Sequence, residues 1–398
     1  MLEMTAVALS KRRVLIRVDL NVPLQSGKIL DDTRIRAIIP TIEWALKAQA
    51  KIILLSHLGR PIEGEYTPAL SLEPVATHLE KLLKRPVHFK RDWLEGFLIS
   101  PGEIVLCENV RFNVGEEAND LILAKKMASL CDVFVMDAFG TAHRAQASTV
   151  GLAQFAPVAV AGPLLVAELK ALKQALEEAK APVVAIVGGA KVSDKLKVLK
   201  YLIPKINTLI VGGGIANTLL AAVGYSIGSS LYEPLFLEEA KALFALAKKY
   251  AVNIELPLDV TVAPDLTALD RVRIFSLNEE ARLLANIQPD EKILDVGPNT
   301  CQHYAKILQH ASTVLWNGPL GVFEVEAFGQ GTKSLAEAIA KSAAFSIAGG
   351  GETLAAIEKY GVQQGISYIS TGGGAFLEYL EGKTLPAVAA LEARSTMN

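Results

Sequence analysis

The chain is punctuated by short apolar runs that stop abruptly in charged or glycine-rich turns, and amphipathic stretches separate one run from the next. Runs of this length, bounded by turns, read as buried strands, and stretches such as 71–84 and 121–130 carry the period of helices. Alternation of this kind needs a crossover between strands covered on both faces, which a doubly wound parallel sheet provides. At 398 residues the chain exceeds one ordinary core of about 100–200 residues, so two units are expected. The expected fold class is α/β: two doubly wound parallel-sheet (Rossmann-like) domains joined by a hinge helix.

The expected boundaries are 1–162 for an N-terminal α/β domain, 163–180 for the connecting helix, 181–379 for a C-terminal α/β domain and 380–398 for a tail that packs back on one of them. In Pro163–Lys180 the leucines at 165, 169, 172 and 176 share one stripe, the mark of an amphipathic helix. Directly after it, VVAIVGGAKVSDK (Val183–Lys195) ends a strand in Gly188-Gly189 and delivers Lys191 and Lys195.

Composition narrows the classes of function. A chain that is 51% hydrophobic, 21% charged and 6% aromatic buries a large core, and a formal charge of −2 with both signs dispersed offers no broad surface for nucleic acid or an anionic membrane. Cys107, Cys131 and Cys301 lie far apart beside apolar runs and make no CxxC pair, so they read as reduced core thiols. The N-terminus places its basic cluster after an apolar patch, the reverse of a secretory signal, and no unbroken apolar segment reaches about 18 residues. A cytoplasmic protein is expected.

Ligands of open α/β sheets sit outside the carboxyl ends of the strands. In the first half these ends carry cations. Val14–Pro23 reads as a strand with Arg17, Asp19 and Asn21 on one face; a helix capped by Asp31, Asp32 or Thr33 is expected over Arg34–Ala50; later runs deliver His57, Arg60, Arg111, Asp137, His143 and Arg144. Guanidinium forks match carboxylate and phosphate geometry, so Arg34, His57, Arg60, Arg111 and Arg144, with Asp19 and Asn21, suit a small, highly anionic ligand such as a phosphorylated carboxylic acid. Arg17, deeper in its strand, reads as a structural residue paired with an acidic neighbour, and Asp19 and Asn21 also suit a turn before Pro23.

In the second half the strand ends carry glycine instead: Gly188-Gly189, Gly212–Gly214, Gly349–Gly351 and Gly372–Gly374. Such turns let backbone N–H groups approach a phosphate at a helix N-terminus, so a nucleotide is expected. Neither G-x-x-x-x-G-K-S/T nor G-x-G-x-x-G after the first strand of either half is present. Lys191 and Lys195, spaced as one helical turn, are then the cations for the phosphates.

RVDLNVP (Arg17–Pro23), SHLGRP (Ser56–Pro61), DAFGTAHRA (Asp137–Ala145), GGAKV (Gly188–Val192), NGPLGVFE (Asn317–Glu324) and STGGGA (Ser370–Ala375) occur in this order. With them the chain resembles the phosphoglycerate kinase family from about Val14 to Pro386. The resemblance implies that Asp19, Asn21, Arg34, His57, Arg60, Arg111 and Arg144 hold 3-phosphoglycerate or 1,3-bisphosphoglycerate, and that ADP or ATP with Mg²⁺ binds the second domain. It implies that Lys191 meets the transferred phosphoryl group, that Lys195 meets the nucleotide phosphates, and that Gly213, Asn317 and Pro319 line the nucleoside while Glu324 accepts from the ribose. Gly189, Gly349, Gly350, Gly351, Glu352 and Thr353 complete the nucleotide site, Gly372–Gly374 present backbone N–H groups, and Arg34, Lys191, Gly350 and Gly373 form the catalytic set.

Three departures stand out. Glu352 in GGGET takes the place of the family's usual aspartate near Mg²⁺, Asn217 stands where an aromatic is common, and Asn299-Thr300 stand where Glu-Ser is common. The implied activity is reversible phosphoryl transfer between 1,3-bisphosphoglycerate and ADP, in line and after domain closure, by a monomer. A non-catalytic hinge-closing binding protein for a phosphorylated metabolite and a dinucleotide-dependent oxidoreductase are the alternatives.

Overall fold

The computed structural model describes residues 1–278 and 287–395. It divides into two compact units: one contains the chain up to Lys170 together with the segment that begins at Thr384, and the other is Ala171–Lys383.

The first unit contains β1 (Arg13–Arg17), the small hairpin β2 (Leu24–Gln25) and β3 (Lys28–Ile29), β4 (Lys51–Leu55), β5 (His88–Lys90), β6 (Ile104–Cys107), β7 (Val133–Met136) and β8 (Ala159–Ala161). All but the hairpin form one parallel sheet in the order β5-β6-β4-β1-β7-β8. The order grows outward from β1 in both directions, so the topological reversal lies between β1 and β7. Val14 and Ile16 join Ile52, Leu54, Val133 and Val135 in the core, and burial of each such side chain stabilises the fold by about 1.5–3 kcal/mol.

Two expected elements are shorter than the sequence suggested. The first strand stops at Arg17 rather than running to Pro23: Leu20 N–H donates to Ser56 Oγ at 2.8 Å and Val22 N–H to Leu20 O at 2.9 Å, so the chain leaves the ladder. The helix expected over Arg34–Ala50 is two helices, Thr33–Ala37 and Ile39–Lys47. Pro40 has no N–H for the carbonyl of Arg36, which forces the restart. Asp32 spends its carboxylate on Arg36 and His78 instead of capping.

The helix expected over Pro163–Lys180 runs Pro163–Leu176, and the division between the units falls inside it, after Lys170. Buried Asp137 accepts from Leu164 and Leu165 N–H at 2.8 and 3.0 Å at the start of this helix, and from the Thr41 hydroxyl. The terminal helix Pro386–Ser395 packs on the first unit: Ala387 N–H donates to Ala142 O, and Arg394 Nη2 to Ala156 O. The last three residues of the expected tail lie outside the described residues.

The second unit contains β9 (Val183–Val187), β10 (Thr208–Val211), β11 (Asn253–Glu255), β12 (Asp259–Ala263), β13 (Arg273–Ser276), β14 (Lys292–Val296), β15 (Thr313–Asn317), β16 (Phe345–Gly349) and β17 (Tyr368–Ser370). The parallel sheet has the order β11-β10-β9-β15-β16-β17, with its reversal between β9 and β15. By sequence alone the apolar runs VNIELPLDVTV and KILDVGPNT read as further strands of this series. Instead the first divides at Leu256–Leu258 into β11 and β12, and β12 forms an antiparallel sheet between β13 and β14. Among the described residues no helix is long and apolar enough to cross a membrane. All three cysteines are free, and burial pushes the Cys131 thiol up to about 12 and the Cys301 thiol up to about 11.

Candidate active site

The carboxyl edge of the first sheet gathers the expected cations. Arg34 Nη1 donates to Asn21 O at 2.9 Å and lies 3.2 Å from Asp19 Oδ2, while Asn21 Oδ1 accepts from Gly59 N–H at 2.9 Å. Asp19 and Asn21 therefore anchor Arg34 and the loop that carries His57 and Arg60. Arg111, only 3% exposed, donates from Nη1 to Gly59 O, yet its Nε and Nη2 are buried without a hydrogen-bond partner. Glu117 Oε1 is 3.8 Å from Nε, beyond hydrogen-bond range. Desolvation lowers the pKa of Arg111, and Arg144 and Arg60 push the same way. Arg144 Nε faces His143 Nε2 at 3.3 Å.

Arg17 is wholly buried and burial pulls it down to about 10. Its expected acidic partner is Glu116, acting by charge and through Ser148, which accepts from Arg17 Nε at 2.9 Å and donates to Glu116 Oε1 at 2.5 Å. Burial is also the largest cause of the depressed pKa of His57, reinforced by Arg17, Arg111, Arg144 and Arg34. Burial first, and the neighbouring arginines with it, thus weaken proton binding by Arg17, Arg111 and His57 at a single edge, an arrangement that an anion relieves.

On the second sheet the glycines are needed for backbone contact. A Cβ on Gly188 would lie 1.9 Å from Pro319 O, and one on Gly214 would lie 2.0 Å from Ala190 O. The turns after β9, β10 and β15 consequently pack main chain against main chain. Gly213 and Gly350 have φ of +62° and +100°, in the region that favours glycine. Gly350 leads into the helix Gly351–Tyr360, Thr353 Oγ1 accepts from Gly318 N–H at 2.8 Å, and Gly373, with φ of +50°, leads into Gly374–Leu380. Gly349 ends β16 and its carbonyl accepts from Asn317 Nδ2 at 2.7 Å.

Lys191 and Lys195 do not share a helix face, because the helix begins at Leu196. Lys191 is exposed on the turn, whereas Lys195 reaches back to donate from Nζ to Asn317 Oδ1 at 2.6 Å. Desolvation lowers the pKa of Lys195, opposed chiefly by the charge of Glu352. Asn317, expected beside the nucleoside, is therefore a link between Lys195 and β16.

A pocket of about 230 Å³ opens beside these turns, lined by Gly189, Gly213, Pro319, Glu324 and Glu352 among the expected residues. Part of its wall has no counterpart in the sequence reading: Val260, Ile293, Leu294 and Val296 come from the antiparallel sheet. The polar–apolar alternation of Asp259, Val260, Thr261 and Val262 in β12 is a partial signal, and β14 carries none. Asn217 also lines the pocket, its Nδ2 bonded to Leu231 O. Asn299-Thr300 do not line it; Asp259 accepts from both of their N–H groups at the start of the helix Pro298–Gln309.

No group of three potential metal-ligating side chains occurs among the described residues. Magnesium bound with a nucleotide commonly needs only one or two carboxylates, the remaining ligands being phosphate and water. Glu352, exposed in the first turn of its helix, on the pocket wall and within electrostatic reach of Lys195, fits that requirement.

A family model for phosphoglycerate kinase matches residues 4–383. The chain belongs to the phosphoglycerate kinase family. A phosphoglycerate kinase of Legionella pneumophila (strain Paris) is 58% identical over 99% of this chain and 98% of its own. The solved phosphoglycerate kinase of Coxiella burnetii superposes with a TM-score of 0.93 at 52% identity, covering 99% of both chains, and that of Pyrococcus horikoshii with 0.83 at 33%, covering both completely. Phosphoglycerate kinases are transferases with a carboxyl acceptor, and the two doubly wound sheets are the α/β architecture of the solved members.

Proposed function

We propose that the chain transfers the acyl phosphate of 1,3-bisphosphoglycerate to ADP, reversibly, giving 3-phosphoglycerate and ATP as a glycolytic enzyme. The observation that carries the assignment of the first substrate is Arg111, whose buried Nε and Nη2 lack acceptors at an edge already crowded with cations. A carboxylate or phosphate supplies those acceptors in pairs. Arg34, His57, Arg60, Arg111 and Arg144 hold the glycerate, with Asp19 and Asn21 fixing the loops beneath them. The nucleotide lies in the second unit's pocket, its phosphates toward Lys191, Lys195 and the helix that opens at Gly351.

The acceptor in the ATP-consuming direction is a carboxylate, ionised at neutral pH, so no general base is required. Catalysis is positioning plus charge stabilisation of an in-line, loose transition state. Arg34, Lys191 and the amides after Gly350 and Gly373 supply that field. Lys195, already partly desolvated, exchanges Asn317 for a phosphate oxygen. Glu352, together with the nucleotide, would hold Mg²⁺, which would supply Lewis-acid neutralisation of phosphate charge.

Each unit carries one of the two anion sites, so transfer requires the substrates to be brought together with water excluded, or the acyl phosphate hydrolyses. The helix Pro163–Leu176, shared between the units, is the hinge in this scheme. A cytoplasmic monomer suits free, high-pKa thiols and a reaction completed within one chain. The deciding experiment supplies ATP, Mg²⁺ and 3-phosphoglycerate and measures acyl phosphate formation; absence of product from folded protein overturns the proposal.

A further inference from the structure

We propose that Arg17 is a positioning residue whose guanidinium holds His57 as the neutral tautomer protonated at Nε2, so that this N–H is presented to the anionic substrate. Arg17 donates in three directions: from Nε to Ser148 Oγ at 2.9 Å, from Nη1 to Val18 O at 2.5 Å, and from Nη2 to His57 Nδ1 at 3.3 Å. A guanidinium has no acceptor and does not lose its proton in proteins. Nδ1 must therefore be the acceptor, and the proton of the neutral ring resides on Nε2. Among the described residues Nε2 has no protein partner, and it is not sealed from solvent although the residue is only 4% exposed.

The surroundings keep the ring neutral. Burial is the largest cause, and the charges that add to it are Arg17 on β1, Arg111 after β6, Arg144 after β7 and Arg34 on the helix Thr33–Ala37, all cationic. The buried carboxylate of Glu116 lies behind Arg17, not beside the imidazole, and reaches it through Ser148, whose N–H and hydroxyl donate to Oε2 and Oε1 at 2.9 and 2.5 Å. Ser148 sits in a π-helical turn, Ala147–Gly151, a wide turn often found at functional sites. Glu116, Ser148 and Arg17 thus form a relay that ends at His57 Nδ1. An N–H donor that does not titrate serves an anion equally across the physiological pH range, whereas an imidazolium does not.

This rests on the proposed binding of 3-phosphoglycerate at the arginine edge, and the two stand or fall by different measurements. Long-range ¹H–¹⁵N spectra of the ligand-free wild-type protein should show His57 protonated at Nε2 and neutral throughout pH 5.5–8, a range spanning the ordinary histidine pKa of about 6.5. Protonation at Nδ1, or titration near the ordinary value, overturns the proposal. Arg17→Met combined with Glu116→Gln, which leaves no unpaired buried carboxylate, should move the His57 midpoint up by about one pH unit or more. The ratio of variant to wild-type Kd for 3-phosphoglycerate, in which the ligand's own titration cancels, should then fall between pH 8 and pH 6. A flat ratio with an unmoved midpoint overturns the positioning role, and if the double variant does not fold, the wild-type spectra still decide. A His57 Nε2 signal that ignores saturating 3-phosphoglycerate in an active enzyme removes His57 from the site; absence of turnover removes the reading beneath it.

Discussion

At the scale of single residues each unit presents cations in different degrees of engagement. Lys191 is exposed on its turn, Lys195 rests on Asn317, and Arg111 is buried with Nε and Nη2 unbonded. Lys191→Ala or Arg34→Ala should each lower kcat by about 10²–10³, the loss expected when one preorganised transition-state donor is removed. Steady-state turnover near that of wild type would remove the role from either residue. The places of His57, Arg60, Arg111 and Arg144 at the sheet edge were legible because each follows an apolar run of strand type. The work of Asp19 and Asn21 was not, since a turn and an anchor use the same residues; only the bonds to Arg34 and Gly59 N–H distinguish them. Arg17 was likewise recognisable as a structural, acid-paired residue, but its bond to His57 joins positions 40 residues apart and leaves no local trace.

At the scale of elements the glycine turns differ sharply in what they tolerate. Gly188→Ala would press a methyl group into Pro319 O and should destabilise the second unit by about 1–3 kcal/mol or more, as overpacking does. Gly351→Ala meets nothing within 4 Å and should stay within about 0.5 kcal/mol of wild type. Chemical denaturation of the two variants tests the contrast, and equal losses would contradict the close apposition of the β9 and β15 turns. Both glycines look alike in the sequence because a GG or GGG string records permission, not the neighbour that requires it. The antiparallel sheet was hidden for a related reason: β12 and β14 have the length and apolar content of parallel strands, and their pairing is decided by partners distant in sequence. Pro40, by contrast, was an available warning that the helix over Arg34–Ala50 had to restart.

At the scale of the whole molecule, buried carboxylates set the response to pH. Burial raises Asp137 to about 6 and Asp295 to about 7 from an ordinary 3.8. Raised folded values mean that their contribution is fully present below about 3.8 and is lost as pH rises through 6–7. His57, depressed below 6.5, works oppositely: its contribution is present above 6.5 and is lost as pH falls through its folded value. Asp295→Asn should therefore gain stability relative to wild type between pH 5 and pH 8, read from denaturation midpoints, and a constant difference would contradict the buried charge. Domain closure makes a separate demand: scattering profiles that superimpose with and without both substrates would count against a hinge at Pro163–Leu176. The return of the terminal helix to the first unit has a consequence for biosynthesis. The second unit is one unbroken stretch, Ala171–Lys383, while the first draws its last piece from Thr384 onward. On the ribosome the unit that begins first is therefore the one that finishes last, and the second unit has all its residues before the first can close.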